Sequence, residues 1–402
     1  MLWDVKIAVA VLFGGKSVEH EVSIISAVQA MAALDQATYD VIPVYITKAN
    51  EFYSGAALTD MAAYRDIPGL LKGLARVSFR VDGAKTYLVD DEAGWLKRPT
   101  RRLIDVALPI LHGTNGEDGT LQGFLETVNL PYAGPNVLAS AVGMDKYASK
   151  VLLGHGGFPV LPGLRFRADD PDIVAAVEAA FAYPVIVKPV NLGSSVGIGK
   201  AANAAELSDC ISEAFGYAST ILIEPAVVNL REINCAVLGD ASAAEASECE
   251  EPVMHDAVLS YRDKYGSGGK AGTKAGAPHG SKGMASAQRL IPAPLTPEQR
   301  DRIRTLAVDA FRYLDCAGVA RVDFLMDGDS GEIWINEFNT IPGSLAFYLW
   351  APVGLPYDQL LDRLIELALK RARQQADLTY TFDTNILAGA AVGTKSGKTG
   401  PA

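Results

Sequence analysis

Arg321-Val-Asp323-Phe and Glu337-Phe-Asn339 flank a Gly/Asp-rich turn, Met326-Asp-Gly-Asp-Ser-Gly331, and this spacing predicts a single β-hairpin bearing hard oxygen ligands. Residues two apart in a strand share a face, so Arg321 falls beside Asp323 and Glu337 beside Asn339. One cation, two carboxylates and one amide oxygen would then meet at one spot. Mg²⁺ takes one or two carboxylates together with waters and substrate phosphates, which makes a nucleotide the natural co-ligand. The competing reading is a solvated hairpin face. A second group starts with Val185-Ile-Val-Lys188, where a lysine ends a strand and the loop Gly193-Ser194-Ser195-Val-Gly follows. Glycine lets backbone amides close over phosphate oxygens, and the lysine supplies a point charge. No Gly-Lys-Ser/Thr opens a helix here, so this is not a Walker A loop, and a lysine capping a surface strand is the bland alternative. Beyond the strand Ile221-Leu-Ile-Glu224, the run Pro225-Ala226-Val227-Val228 reads as a hinge whose backbone meets an adenine edge, with Glu232 reaching ribose hydroxyls. Arg231-Glu232 is more often an exposed ion pair on a strand end, worth under about 1 kcal/mol.

These residues need elements to hold them. At 402 residues, 49% of them hydrophobic, the chain is expected to build two or three domains. The apolar run 7–13, the Gly14-Gly15 turn, a helix over about 23–34 and a strand over 39–46 predict a β-loop-α-β unit in an open parallel sheet. Ligands favour the loop at the C-terminal end of its first strand. A further buried strand, 105–111, empties into the Gly-rich His112-Gly-Thr-Asn-Gly-Glu117-Asp-Gly. Composition shifts near Gly134-Pro135, which sets an N-terminal domain at 1–136. A helical segment over 137–153 opens a central lobe at 137–228, with helices over about 171–181 and 204–215 and strands at 185–188 and 221–224. A C-terminal lobe at 229–380 carries the hairpin and ends in a helix over 357–373. The Gly/Ser/Lys-rich segment 266–288 reads as a lid, and 381–402 as a disordered tail.

Bulk charge narrows the partners. A net charge of -11 argues against nucleic acid or an anionic membrane, either of which needs a basic face. The four cysteines, Cys210, Cys235, Cys249 and Cys316, follow no metal-ligand spacing and suit a reducing, cytoplasmic compartment. No apolar run approaches the roughly 20 residues of a membrane helix.

Taken together, Gly14-Gly-Lys-Ser-Val-Glu19-His-Glu-Val-Ser23, His112-Gly-Thr-Asn-Gly-Glu117-Asp-Gly, Met144-Asp-Lys146, Lys188-Pro with Gly193-Ser-Ser-Val, Lys264-Tyr265, Arg321-Val-Asp323 and Asn336-Glu337-Phe-Asn339-Thr-Ile-Pro-Gly343 resemble the D-alanine:D-alanine ligase family of ATP-grasp enzymes. The motifs cover residues 5 to about 370 in order. The resemblance implies a three-domain α/β architecture, with α+β ATP-grasp lobes, and ATP-dependent ligation of two D-alanines through an acyl phosphate for peptidoglycan precursor synthesis.

It also implies roles. Lys146 and Lys188 contact the nucleotide's phosphates, and Ser195, Lys264 and Asn336 also bind the nucleotide. Glu224, Pro225, Ala226 and Val227 hold adenine, and Glu232 takes the ribose. Asp323, Glu337 and Asn339 bind two Mg²⁺, replaceable by Mn²⁺. Glu19, Ser194 and Tyr265 position the first D-alanine with His112 nearby, while Arg321 and the Gly343 N–H form an oxyanion hole. Ser344 and Leu345 receive the second substrate, although the run Ser-Leu-Ala-Phe-Tyr-Leu-Trp350 departs from the better known family form. A homodimer through the N-terminal domain is implied too. A D-serine acceptor, or an idle ATP-binding module, are the alternatives.

Overall fold

The computed structural model describes residues 6–91, 100–253, 289–382 and 384. Lys264, Tyr265, the 266–288 segment and the tail beyond 384 lie outside the described residues. Among those described, three sheets organise the chain. The first holds β1 (Ile7–Gly14), β2 (Tyr39–Ile46), β3 (Phe52–Ser54), β4 (Ala75–Asp82), β5 (Lys85–Asp90), β6 (Arg101–Ile104) and β7 (Val106–Ile110), in the order β6-β5-β4-β3-β2-β1-β7. β1 lies parallel to both β2 and β7, as the apolar run over 7–13 implies, because a strand covered on both faces has no polar side to show. The other four strands extend this core antiparallel. In β4 the apolar Val77, Phe79 and Val81 alternate with Ser78, Arg80 and Asp82, a period of two. Helices α1 (His20–Ala33), α2 (Ile67–Lys72) and α3 (Thr120–Thr127) belong to this unit.

The segment 137–153 is not one helix but two, α4 (Val137–Met144) and α5 (Lys146–His155). Asp145 breaks the run by taking extended backbone, and its carboxylate then caps α5 by accepting from Tyr147 N and Ala148 N at 2.9 Å. That break aims Lys146 and Lys150, one turn apart, along one face of α5.

A four-stranded antiparallel sheet follows, made of β8 (Leu164–Arg167), β9 (Val185–Pro189), β10 (Gly199–Ala201) and β11 (Thr220–Pro225), with α6 (Ile173–Ala180) and α7 (Ala204–Phe215) packed on it. The third sheet is antiparallel in the order β14-β13-β12-β15-β16, from β12 (Leu230–Gly239), β13 (Ala244–Pro252), β14 (Arg289–Leu290), β15 (Gly318–Asp327) and β16 (Ile333–Asn339). It carries α8 (Pro297–Tyr313), started by a capping box between Thr296 and Gln299. Short α9 (Phe347–Trp350) and long α10 (Tyr357–Ala376) close the fold. Although they precede the four-stranded sheet in sequence, α4 and α5 contribute Ala139 and Leu153 to the core of the five-stranded one.

One apolar core runs from Val11 and Phe13 of β1 through α1 to Leu345, Trp350 and Leu361. That continuous packing seats the first sheet's loop ends against the loop that follows β16. No helix among the described residues is long and apolar enough to cross a membrane.

Candidate active site

The hairpin forms from β15 and β16, and a register shift after Asp323 sets Arg321 opposite Asn339 and Asp323 opposite Glu337. Directly opposed residues share a face. Arg321 donates from Nε to Asp323 Oδ1 at 2.6 Å and from Nη2 to Oδ2 at 2.7 Å, and Asn339 Nδ2 donates to Oδ2 at 2.9 Å. Burial works against the guanidinium's charge, but Asp323 outweighs it and holds Arg321 well above its ordinary value. The register continues past the hairpin, since Asn234 of β12 opposes both Asp323 and Glu250 of β13. A transverse row Glu250–Asn234–Asp323–Glu337 therefore crosses the sheet. The donor set of two carboxylates and an amide is all hard oxygen and fits Mg²⁺ with phosphate co-ligands, and no group of three or more His, Cys, Asp or Glu with metal-holding geometry occurs among the described residues.

A cavity of about 290 Å³ opens between the second and third sheets. Lys146, Lys188, Ser194, Ser195, Glu224, Pro225, Ala226, Val227, Glu232, Asp323, Asn336 and Glu337 all line it, so nearly the whole expected nucleotide set converges there. Lys146 Nζ donates to Leu192 O at 2.7 Å and pairs with Glu337 Oε2 at 3.0 Å. Lys188 Nζ donates to Asn336 Oδ1 at 3.0 Å and lies 2.5 Å from Glu224 Oε2. Glu224 Oε1 pairs with Lys150, so each oxygen of this buried carboxylate faces a lysine. Burial pushes Glu224 up, yet the two ammoniums prevail and keep its carboxyl below the usual range. Lys150 itself is pulled down to about 8, chiefly by burial.

Across the cleft, Ser194 Oγ donates to Glu19 Oε1. Glu19 occupies the N-cap position of α1 but makes no side-chain cap there, its carboxylate being turned to Ser194 instead. Two glycines make room for it: a Cβ on Gly193 would meet Glu19 Oε2 at 2.7 Å, and one on Gly113, whose φ is +72°, would meet it at 2.8 Å.

His112 is buried in the same corner. Ser344 N donates to Ser26 Oγ at 3.0 Å, which leaves the Ser26 hydroxyl proton for His112 Nε2, also at 3.0 Å. The other nitrogen, Nδ1, then carries the proton and donates to Ile341 O at 2.7 Å. That neutral tautomer agrees with burial lowering the imidazole's pKa. Glu117 accepts from Ile341 N and Gly113 N, each at 2.8 Å, and burial, with Glu19's charge second, raises its carboxyl to about 8.

Gly343 opens a single turn in which Ser344, Leu345 and Ala346 all have left-handed φ of 51–53°. Three such non-glycine residues cost on the order of 1 kcal/mol each. The turn is held because Ser344 Oγ donates to Gln29 Oε1 at 2.8 Å, while Leu345 sits in the apolar core. Both donors of Ser344 are thus committed to α1.

Sequence reasoning missed Lys150, Asn234 and Glu250, and it gave Glu117 no role beyond its place in the Gly-rich motif. Lys150 had a signal, its i,i+4 spacing from Lys146. The other three depend on loop closure and strand register. Tyr265 and Lys264 fall outside the described residues.

The family models described as D-ala D-ala ligase N-terminus and C-terminus match residues 8–135 and 153–366. The D-alanine–D-alanine ligase of Thermosipho melanesiensis is 35% identical over 94% of this chain and 98% of its own. Among solved structures, the D-alanine-D-alanine ligase from Coxiella burnetii superposes with a TM-score of 0.76 at 31% identity, covering 92% of this chain and 96% of its own. The VanG D-Ala:D-Ser ligase from Enterococcus faecalis gives 0.74 at 30%, covering 90% and 100%. On this evidence the chain belongs to the D-alanine–D-alanine ligase family of ATP-dependent ligases.

Proposed function

We propose that this chain joins two D-alanines into D-alanyl-D-alanine for peptidoglycan precursor synthesis. The observation that carries the reading is the meeting of Arg321, Asp323, Asn339 and Glu337 on one sheet face, with Asp323 and Glu337 lining the cavity that gathers the expected nucleotide residues. A carboxylate oxygen of the first D-alanine attacks the γ-phosphorus of ATP, the bond to ADP breaks, and an acyl phosphate forms. The second D-alanine's amine then attacks the carbonyl carbon, loses a proton, and expels phosphate. Both steps gather negative charge, so fixed cations and donors carry most of the acceleration.

Lys146, Lys188, Ser195 and Asn336 face the phosphates, joined by Lys264. Backbone at Glu224–Val227 meets adenine, because both Glu224 oxygens already face lysines, and Glu232 takes the ribose. Asp323, Glu337 and Asn339 would hold two Mg²⁺, or Mn²⁺, which when bound offset charge on the transferring phosphoryl group. Glu19 with Ser194 and Tyr265 anchors the first D-alanine, His112 supports that corner, and Arg321 with the Gly343 N–H receives the oxyanion. The turn at Ser344 and Leu345 borders the acceptor. The same reading makes the protein a cytoplasmic homodimer through its N-terminal domain, in keeping with four free thiols, and light scattering on the purified chain tests the dimer.

A D-serine acceptor is the second reading, supported by likeness to the D-Ala:D-Ser ligase. ADP release with ATP, Mg²⁺ and D-alanine, repeated with D-serine or D-lactate added as acceptor, separates them. D-alanine-dependent ADP together with the D-alanine dipeptide is expected. ATP binding with no D-alanine-dependent ADP would leave only an idle nucleotide-binding module.

A further inference from the structure

Among the described residues, the cavity wall presents Lys146, Lys188 and Lys200 against the four carboxylates of Glu224, Glu232, Asp323 and Glu337. On those lining groups alone the wall would repel a triphosphate. Compensation comes from behind it. Lys150, which does not line the cavity, backs Glu224. Glu224 is the buried hub, with Lys150 on Oε1 and Lys188 on Oε2, so it binds the very lysine that must reach phosphate. Opposite charges this deep attract strongly, and a lone Glu224 would hold Lys188 back.

We infer that Lys150 is a positioning residue for the nucleotide: by neutralising Glu224 from the protein side, it frees Lys188 for the phosphates. The inference rests on reading this cavity as the nucleotide site. It assigns Lys150 no contact with substrate and makes its effect conditional on the Glu224 charge.

The test is calorimetric titration of the full chain with Mg-ADP, alongside KM values for ATP and D-alanine. Lys150→Met should weaken ADP about 10-fold or more, as expected for losing a charge-assisted contact. KM for D-alanine should stay within about 2-fold, and Lys150→Arg should recover most of the loss, since it keeps the charge. A residue with a merely structural role would move both substrates together. The decisive arm is the double variant Lys150→Met/Glu224→Gln, which buries no uncompensated carboxylate. It should bind ADP within about 3-fold of Glu224→Gln alone, because a lysine acting only through Glu224 has nothing left to do. A larger gap between those two overturns the inference even if Lys150→Met does not fold. Unchanged ADP affinity in a folded Lys150→Met, or equal loss for D-alanine, overturns it as well. Wild-type protein that binds Mg-ADP but shows no D-alanine-dependent turnover defeats the ligation reading alone and leaves these variants decisive for Lys150.

Discussion

Arg321 commits two forked N–H groups to Asp323, which fixes the guanidinium plane and its charge beside the hairpin's ligands. Its value then lies in the transition state rather than in holding nucleotide. Arg321→Ala is expected to lower kcat at least about 100-fold, the scale seen on removing one oxyanion donor, with ATP affinity nearly unchanged. A matched loss of ATP affinity in a binding titration would move Arg321 to a ground-state role. Gly193 faces a different constraint, since any Cβ there comes within 2.7 Å of Glu19 Oε2. Gly193→Ala should push Glu19 aside and raise KM for the first D-alanine on the order of 10-fold, because small misplacements at a positioned site are costly. Steady-state kinetics that leave KM unchanged would show that Glu19 does not meet the substrate.

Elements deliver these side chains by two routes. Some are local: β15 and β16 pair through a short turn, and a one-residue register shift between Asp323 and Phe324 brings Glu337, rather than Asn336, opposite Asp323. Others are remote. α10 reaches back to the first sheet, where Arg371 donates from Nη1 to Gly134 O at 2.8 Å and from Nη2 to Tyr132 O at 2.6 Å, with its guanidinium 4.2 Å from the Tyr132 ring centre. Burial lowers this guanidinium's pKa, since its neighbours only partly compensate. Arg371→Ala leaves two carbonyls without that donor, and a loss of about 2–3 kcal/mol is expected in urea denaturation. Arg371→Lys should recover little, because an ammonium lacks the fork and the planar face. A loss under about 0.5 kcal/mol would mark the contact as surface-like. The helical pattern over 137–153 was legible as helix but not as two helices. The stop lies in Asp145, whose side chain competes for backbone N–H groups, and composition alone does not announce it.

At the scale of the whole molecule, the sheets close around buried carboxylates, and stability inherits their titration. Glu117 ordinarily loses its proton near 4.5, but in the fold it holds the proton to about 8, because of burial first and Glu19 second. The folded state therefore binds more protons between those values. This group's contribution is full below about 4.5 and is lost as pH rises through about 8. The stability of wild type minus that of Glu117→Gln should fall with rising pH across this window, by about 1.4 kcal/mol per pH unit in denaturant titrations at several pH values. Parallel curves for the two proteins would show that Glu117 is ionised throughout.

Local chemistry in the sequence determined the hairpin, the Gly-rich loop after Lys188 and the buried parallel strands. Each follows from periods of two or 3.6 and from turn residues acting over a few positions. Glu19 and Ser194, 175 residues apart, were linked by the family resemblance, not by any spacing. Tertiary structure alone decided that Lys150 shares Glu224 with Lys188, that Glu250 joins the row through Asn234, and that Ser344 hangs from α1. A repeat along the chain sets which side chains share a face. Which faces meet is settled by the burial of apolar surface between elements distant in sequence, and no local pattern records that choice.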